Sequence, residues 1–460
     1  MLRDRHEVDK FFIQIQSLAS EMDAELTQID ALLDDEVLFQ RVRADLSRRY
    51  PQTTRTGRPS TPVEVILRML VIKHLYRWSY EETEHRVRDS LVLRRFCRLY
   101  FESVPDDTVL LRWAARITPA TLAALNARVS VLATQLHITR GRKLRTDGTV
   151  VESNIHYPSD SSLLRDGVRV LSRLLQRGRK LLVDATDWGQ ALFRDRTRSA
   201  QRMAQQIGRR TQGGREALCS SYRRLLRTAQ ASLRQAQTVR AALLAQGGEA
   251  GKALSQRLAL FIPRVAQVIA QTTRRVLRGE KVPAAEKLVS LFEPHSQIIK
   301  RGKPQREVEF GHKLWLDEVE GGIISHFRIL AGNPADSQQW QPSLEHHGQQ
   351  FAHPPDLASA DRGVYSAANE RYAQAMGVRQ VILPQAGAKS AARRHYEGQP
   401  WFRRGRRWHA GIEGRISVLK RKHGLGRCLN HGEEGLERWV GWGVIAANLA
   451  VMGHTLALRA

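Results

Sequence analysis

Three acidic residues, Asp147, Asp361 and Glu413, lie in local sequences that suit metal ligands. Asp147 and Asp361 each close a short strand-like run and have a glycine within two residues, whereas Glu413 lies on a predicted helix with a basic face. An aspartate at a strand end is more often a turn residue, so each motif is weak alone. In this order, however, carboxylates on rigid elements are typical of a site that holds a pair of Mg²⁺ ions for phosphodiester cleavage.

Basic residues accompany the third acid on the same predicted helix. Lys420 lies seven residues beyond Glu413, which is about two helical turns and therefore on the same face. Its ammonium group is a candidate for a phosphate contact near the cut. Arg415 and Arg421 are weaker candidates, because simple solvated charges also explain them.

The chain has 460 residues, of which 42% are hydrophobic, and a net charge of +27. That length allows two or three domains with a real core. A field this positive attracts polyanions, so nucleic acid is the first partner to consider, ahead of a membrane surface or plain solubility. Cys97, Cys219 and Cys428 form no CxxC motif, which predicts buried thiols in a reducing cytoplasm and argues against a disulfide framework.

The sequence predicts neither an export signal nor a membrane span. The residues Met1–His6 contain no apolar signal core. The segment Trp439–Leu458 is uncharged and long enough to span a bilayer, but it contains glycines, Asn448 and His454. We therefore expect a buried C-terminal helix and a soluble protein.

The first part of the chain has the pattern of helices. Thr61–Glu64 predicts a capping box with proline at the first helical position, and Ser79–Glu82 predicts a second cap after a short turn. This arrangement is compatible with a helix-turn-helix, whose basic residues would meet phosphates. These residues are Arg86, Arg88, Arg94, Arg95 and Arg98. A helical bundle with a solvated basic surface remains an equal alternative.

The pattern changes to strand near residue 140, where Leu144–His156 is rich in β-branched residues. A basic segment, Arg165–Lys281, follows with 25 Lys and Arg against seven acids. Its apolar residues recur at helical spacing, which predicts an inserted helical domain rather than a disordered tail. Its role stays open between a spacer, a dimer contact and a clamp on the DNA backbone.

Strand-like patterns return at Glu307–Leu316 and Ile323–Leu330, separated by a predicted hairpin turn. Three acids flank this turn and are expected to be solvated: Asp317, Glu318 and Glu320. Asp160 is expected to cap the helix after the first strand. His156 is expected to make a structural hydrogen bond, because Mg²⁺ does not favour imidazole.

Together these motifs resemble a DDE-type transposase of bacterial insertion sequences. The resemblance covers most of the chain and rests on Gly57–Ser60, Thr146–Asp160, Asp361–Gly363 and Glu413–Leu425. Around the last acid the family often has Tyr, two residues, Arg, three residues, Glu, six residues and Lys. This chain keeps Glu413 and Lys420 at that spacing but has Arg406 and His409 in the Tyr and Arg places, which affects how it would handle the DNA backbone.

The resemblance implies an α/β fold in which an RNase H-like mixed sheet carries the acids. A helical N-terminal DNA-binding domain and a basic helical insertion accompany that core. The implied boundaries are 1–138 for the DNA-binding domain, 139–164 and 301–460 for the two parts of the catalytic core, and 165–300 for the insertion.

The implied activity is that of a DNA transposase, which binds the terminal inverted repeats of its mobile element and then cleaves and transfers DNA strands. Asp147, Asp361 and Glu413 would be the catalytic residues and the ligands of Mg²⁺, for which Mn²⁺ can substitute. The expected DNA contacts are Lys420, Arg415, Arg421, Arg94 and Arg95. Its partners would be element-end and target DNA and a second copy of the chain in the DNA complex.

The expected location is the cytoplasm, in association with the nucleoid and without a membrane. Two alternatives stay open. One is a nucleic-acid-binding protein with a decayed active site. The other is a different class of DNA recombinase, which would need an activated hydroxyl nucleophile among arginines.

Overall fold

The computed structural model describes residues 1–19, 21–50, 52–182, 190–209, 214–246, 248–303 and 306–460. These residues form two compact units. The first unit consists of Met1–Asn154 and His312–Ala460, and the second consists of Ile155–Gly311. The predicted insertion, 165–300, lies within the second unit, which extends about ten residues further at each end. Three stretches of that insertion lie outside the described residues: 183–189, 210–213 and 247.

The helices and strands have the following bounds in chain order. Up to the second strand they are α1 (Lys10–Ala19), α2 (Ala24–Leu32), α3 (Glu36–Ser47), α4 (Val63–Leu75), α5 (Tyr80–Asp89), α6 (Leu91–Phe96), α7 (Asp107–Ala114), α8 (Pro119–Gln135), β1 (Lys143–Ser153), α9 (Asp160–Leu181), α10 (Thr197–Arg209), α11 (Arg215–Gln246), α12 (Gly248–Thr272) and β2 (Gln297–Lys303). The later elements are β3 (Arg306–Val319), β4 (Ile323–Leu330), α13 (Trp340–Phe351), β5 (Leu357–Ala360), α14 (Ala367–Ala375), β6 (Gln380–Ile382), α15 (Ala391–Gly398), α16 (Pro400–Lys422), β7 (Arg427–Cys428) and α17 (Glu433–Ala457).

The strands of the described chain form one mixed sheet of seven strands, which confirms the α/β class. Its order is β2-β3-β1-β5-β6, with β4 paired to β3 and β7 paired to β1. β1, β5 and β6 run parallel, whereas β3 and β4 form an antiparallel hairpin. Gly321 and Gly322 form the hairpin turn with φ angles of 82° and 77°, a left-handed conformation that glycine adopts without strain. The predicted hairpin is therefore confirmed.

One of the two predicted helix caps in the N-terminal part is confirmed and the other is wrong. Ser79 caps α5, and its hydroxyl oxygen accepts a hydrogen bond from the Glu82 backbone N–H at 2.9 Å. α4 instead begins at Val63 after Pro62, which makes no side-chain capping bond. Glu64, the expected partner in that capping box, pairs with Arg68 at 3.2 Å. Glu64 therefore forms an ion pair with Arg68, one helical turn further on, instead of the capping hydrogen bond that the motif predicted.

The N-terminal helices of the first unit share a hydrophobic core with its sheet and its last helix. Buried residues of this core come from α4, β1, α13 and α17, including Ile66, Leu70, Leu144, Leu344 and Leu449. α17 is long and apolar enough to cross a membrane, but 67% of its most apolar window is buried inside the structure. The expected burial of this helix is therefore confirmed. The helices before residue 138 belong to the same compact unit as β1, β4, β5, β6 and β7.

The described part of the second unit is mainly helical and has its own core. α9, α10, α11 and α12 contribute buried residues such as Leu171, Ala204, Leu225 and Leu258. His156 makes the expected structural hydrogen bond, with Nε2 at 2.6 Å from an Asp166 carboxylate oxygen. The predicted cap of α9 is wrong by one residue, because Ser159 is the cap and Asp160 opens the helix. Asp160 pairs instead with Arg275 at 2.8 Å.

Candidate active site

Adjacent parallel strands bring the first two acids together. β1 and β5 pair with Thr146 opposite Ala360. Asp147 and Asp361 are the next residues after this pair, one on each strand's path. Asp147 lies within β1, and Asp361 directly follows the last residue of β5. Because neighbouring strands lie about 4.8 Å apart, this register sets the two aspartates side by side.

Helix α16 brings the third acid to the same space. Glu413 lines one cavity together with Asp147 and Asp361, and the volume of this cavity is about 200 Å³. The other lining residues are Ala360, Arg362, Ile382, Pro384, Arg406, His409, Ala410 and Ile412. Three carboxylates that are distant in sequence therefore face one cavity, which also contains the two basic residues that depart from the family pattern.

The two aspartates repel each other electrostatically. Burial, followed by the nearby Asp361 carboxylate, raises the pKa of Asp147 to about 6. The Gly148 backbone N–H donates a hydrogen bond to Asp147 at 2.6 Å and acts in the opposite direction. A pair of carboxylates held in this way has a high affinity for positive charge, because a cation removes both the repulsion and the unfavourable burial.

His409 orients the second aspartate. Its Nε2 lies 3.2 Å from Asp361 Oδ1, and its Nδ1 lies 3.2 Å from the Ser359 hydroxyl. An ionised carboxylate only accepts hydrogen bonds, so Nε2 is the donor, and in the neutral ring Nδ1 accepts from Ser359. Sequence reasoning treated His409 only as a departure from the family pattern. Its spacing of one helical turn from Glu413 was the available signal.

Arg145 connects the strand of the first acid to the helix of the third. Its guanidinium donates two hydrogen bonds to Glu318 on β3, at 2.8 and 2.7 Å, and another to the backbone oxygen of Trp408 on α16. The arginine passes so close to α16 that a Cβ at Gly411 would lie 2.4 Å from it. Arg145 and Asp147 are two residues apart on β1 and therefore point to the same face.

The acids around the hairpin were expected to be solvated, and this prediction is wrong for two of the three. Asp317 and Glu318 are only 2% and 1% exposed. Glu318 is neutralised by Arg145, and Glu320 accepts hydrogen bonds from the backbone N–H groups of Arg140, Arg142 and Lys143. Carboxylates that have such partners can be buried. The position of an acid near a predicted turn does not reveal whether it has such a partner.

The basic candidates on α16 differ in their surroundings. Lys420 is half-buried and Arg421 is exposed, and neither lines the cavity of the three acids. Arg415 faces the C-terminal helix, where its guanidinium donates to the backbone oxygen of Ala447 at 3.2 Å. Burial lowers the pKa of Arg415. The arrangement gives Arg415 a packing role, while Lys420 and Arg421 keep phosphate binding as their predicted role.

The basic candidates on α6 make hydrogen bonds within the protein. Arg94 donates to the backbone oxygens of Tyr100 and Glu102, at 2.7 and 2.6 Å. Arg95 donates to the Gln16 side chain at 2.7 Å. The bonds of Arg94 hold the loop that follows α6, and the bond of Arg95 holds α1. Because both guanidinium groups already donate within the protein, a phosphate contact by either arginine stays a prediction.

The cavity is open and acidic rather than a closed cage of ligands. Within the described residues, no three His, Cys, Asp or Glu side chains are close enough to hold a metal ion as they stand. The Asp361 side chain is 65% exposed, and Glu413 is also exposed. Mg²⁺ retains several waters and takes phosphate oxygens of its substrate as ligands. Carboxylates on separate walls of one cavity fit that kind of coordination.

Models of known protein families match two parts of the chain, one near each end. A family model described as a transposase domain (DUF772) matches residues 14–116. A second model, described as a transposase DDE domain, matches residues 370–453, which include Glu413. No curated protein and no solved structure matches the chain. The resemblance inferred from the sequence motifs is thus confirmed, and the chain is a DDE-type transposase of the insertion-sequence kind.

Proposed function

We propose that this transposase binds the terminal inverted repeats of its mobile element and carries out metal-dependent cleavage and transfer of DNA strands. The observation that carries the proposal is the cavity that Asp147, Asp361 and Glu413 line together. The net charge of +27 adds support, because such a field attracts the phosphate backbone. The reaction needs no covalent bond between protein and DNA.

Asp147 would hold both ions of a metal pair, and Asp361 and Glu413 would each hold one. Mg²⁺ is the proposed ion, with Mn²⁺ as a substitute, and the pair would activate the attacking oxygen and stabilise the leaving oxygen. The raised pKa of Asp147, at about 6, supports this assignment because it reflects burial and then a neighbouring like charge, and a bound cation would offset both. His409 would hold Asp361 in one orientation through its 3.2 Å hydrogen bond.

The proposed core is RNase H-like. Support comes from the order of the acids, with the first on β1, the second after the adjacent parallel strand β5 and the third on the later helix α16. The hairpin of β3 and β4 lies beyond β1 in the same sheet. This order gives each acid a rigid backbone segment, as metal ligands require.

The proposed DNA contacts near the cut are Lys420 and Arg421, at the end of the helix that carries Glu413. They lie roughly 10–12 Å further along the helix axis, which corresponds to about three base pairs of duplex DNA. Arg415, Arg94 and Arg95 are weaker proposals because their guanidinium groups donate within the protein. A homodimer on the DNA and a nucleoid-associated cytoplasmic location complete the proposal.

A DNA-binding protein with an inactive site is the second candidate. The presence of Arg406 and His409 in the family's Tyr and Arg places favours it. Metal dependence separates the two candidates. An inactive protein would bind element ends without cutting them in any divalent ion.

The test is cleavage of DNA that carries the element's ends, in Mg²⁺, in Mn²⁺ and in EDTA. Asp147→Asn, Asp361→Asn and Glu413→Gln should each lower the cleavage rate by at least about a hundredfold, because loss of a metal ligand removes several kcal/mol of transition-state stabilisation. DNA binding should change little. Glu345→Gln removes an exposed carboxylate on α13 and should cleave like the wild type. Cleavage in EDTA, or an active variant at any of the three acids, would contradict the proposal.

A further inference from the structure

Helix α11 of the second unit carries a strong positive charge along its length. Its 32 residues include six arginines and one acid, Glu216, which lies in the first turn. Five of the arginines are exposed, and three of these, Arg223, Arg227 and Arg234, lie along one face. They are separated by four and seven residues, so they lie within about 40° of one another around the helix axis. We call these three residues the arginine row.

The opposite face of α11 is fixed in the core of the second unit. Leu225, Leu226, Ala229, Ala236 and Val239 are buried there. Because these residues hold the helix in one rotation, the arginine row points outward along a straight line. Eleven residues separate its ends, which is about 16 Å of helix.

Within the described residues, the arginine row has no acidic partner, whereas several other cations of the same unit have one. Lys252 pairs with Glu249, Arg274 with Glu280 and Glu286, and Arg278 with Glu280. In the part of the chain that the structure describes, no carboxylate lies within ion-pair distance of the row. Like charges one turn apart destabilise a helix, so the row is unfavourable for the folded protein alone. A bound polyanion would remove this repulsion.

We propose that the arginine row binds the phosphate backbone of duplex DNA. The inference rests on the proposed function in that DNA is the substrate. A duplex carries one charge per about 1.7 Å of its axis, so a row of about 16 Å faces on the order of nine phosphate charges. Arginine suits this ligand because its planar guanidinium can form two parallel hydrogen bonds to one phosphate.

The chemistry of α11 favours a duplex over a single strand. Single strands are held by exposed aromatic rings on which bases stack, but the aromatic residue of α11, Tyr222, is buried. Contacts to phosphates alone do not read sequence. The row therefore adds affinity for any duplex and leaves recognition of the element's ends to other residues.

The test compares two triple variants of the full chain. The first is Arg223→Gln, Arg227→Gln and Arg234→Gln, and the control is Lys252→Gln, Arg274→Gln and Arg278→Gln. Both remove three positive charges from helical or adjacent positions of the same unit, and all of these positions except the half-buried Arg274 are exposed. Only the control charges have carboxylate partners. Glutamine is a good helix former, and circular dichroism checks that both variants fold.

The readout is the dissociation constant of a 30-base-pair duplex without element sequence, measured in EDTA across a range of salt concentrations. Each lost phosphate contact flattens the log–log salt dependence by about 0.9, so the first variant should lose roughly 3 units of slope and the control less than 1. Equal slopes for the two variants would overturn the inference. Competition by single-stranded RNA or polyglutamate as strong as competition by duplex DNA would also overturn it.

The same proteins separate this inference from the proposed function. If the wild type cleaves element ends but the two triple variants have equal slopes, the arginine row is wrong and the proposed function stands. If the first variant loses slope while Asp147→Asn cleaves like the wild type, the row stands and the proposed catalytic site is wrong.

Discussion

At the scale of single residues, the carboxylate of Asp147 has the most unusual environment of the cavity. Its pKa of about 6 lies well above the ordinary value of 3.8, chiefly because of burial and then because of Asp361. The folded protein therefore binds this proton more tightly than the unfolded chain does. Ionisation of Asp147 costs stability as the pH rises from about 4 through about 6, and the cost is complete above that range.

This linkage predicts that Asp147→Asn stabilises the metal-free protein at pH 8. The charge that opposes folding is removed, and the gain is at most about 3 kcal/mol for a shift of about two pKa units. In EDTA the thermal midpoint should rise by a few degrees at pH 8 and show no such gain at pH 4. Glu345→Gln, which removes an exposed acid, should show no difference between the two pH values. A lower midpoint for Asp147→Asn at pH 8 would contradict the assigned environment.

The residues that could be predicted from sequence were those with a local signature. Asp147 and Asp361 close strand-like runs, and Glu413 lies on a helix with a basic face. The contacts of His409 with Asp361 and Ser359 could not be predicted in the same way. They depend on where α16 lies against β5, and residue spacing within one element contains no information about that placement.

At the scale of elements, the distance between β1 and α16 decides whether the acids can act together. Arg145 joins these two elements through Glu318 and the Trp408 backbone oxygen. Since Glu318 is buried, removal of Arg145 alone would leave an unpaired charge and destabilise the protein by about 3–5 kcal/mol. A test of whether Arg145 positions α16 against β1 therefore has to remove the charges of both Arg145 and Glu318.

We predict that Arg145→Met combined with Glu318→Gln folds with near-normal stability but cleaves DNA at least about tenfold more slowly. The double variant leaves neither member of the Arg145–Glu318 pair as a buried unpaired charge, yet it lacks the hydrogen bond that holds α16 to β1. Thermal midpoints and cleavage rates measure the two effects separately. Arg142→Met, which removes an exposed arginine just before β1, is the control. Full recovery of both stability and cleavage in the double variant would show that Arg145 only neutralises Glu318.

Element boundaries show why local rules succeed or fail. The cap of α5 was predicted correctly because Ser79 has no stronger partner than the Glu82 backbone N–H. The cap at Thr61 was wrong because Glu64 pairs with Arg68, which also binds Asp30 of α2 and Asp34 of the turn after α2. Long-range ion pairs of this kind are fixed by packing, so a capping motif cannot anticipate them.

At the scale of the whole molecule, the fold class could be predicted but the grouping of elements could not. Strand and helix patterns indicated an α/β protein with a helical insertion, and the mixed sheet agrees with that class. The N-terminal helices, for which a DNA-binding domain over 1–138 stays a prediction, share a core with β1 and α17 that the sequence patterns did not indicate. The spacing of apolar residues indicates which face of a helix is buried. It does not indicate the element against which that face packs.

Asp147, Asp361 and Glu413 are proposed to form one metal-dependent active site. The most direct measurement is a crystal structure of the protein with element-end DNA and Mn²⁺, in which anomalous scattering locates the ions. We expect two peaks roughly 3.5–4 Å apart in the cavity, with Asp147 bound to both and Asp361 and Glu413 each bound to one. Peaks held by other carboxylates, or a cavity without Mn²⁺ beside correctly bound DNA, would contradict the claim.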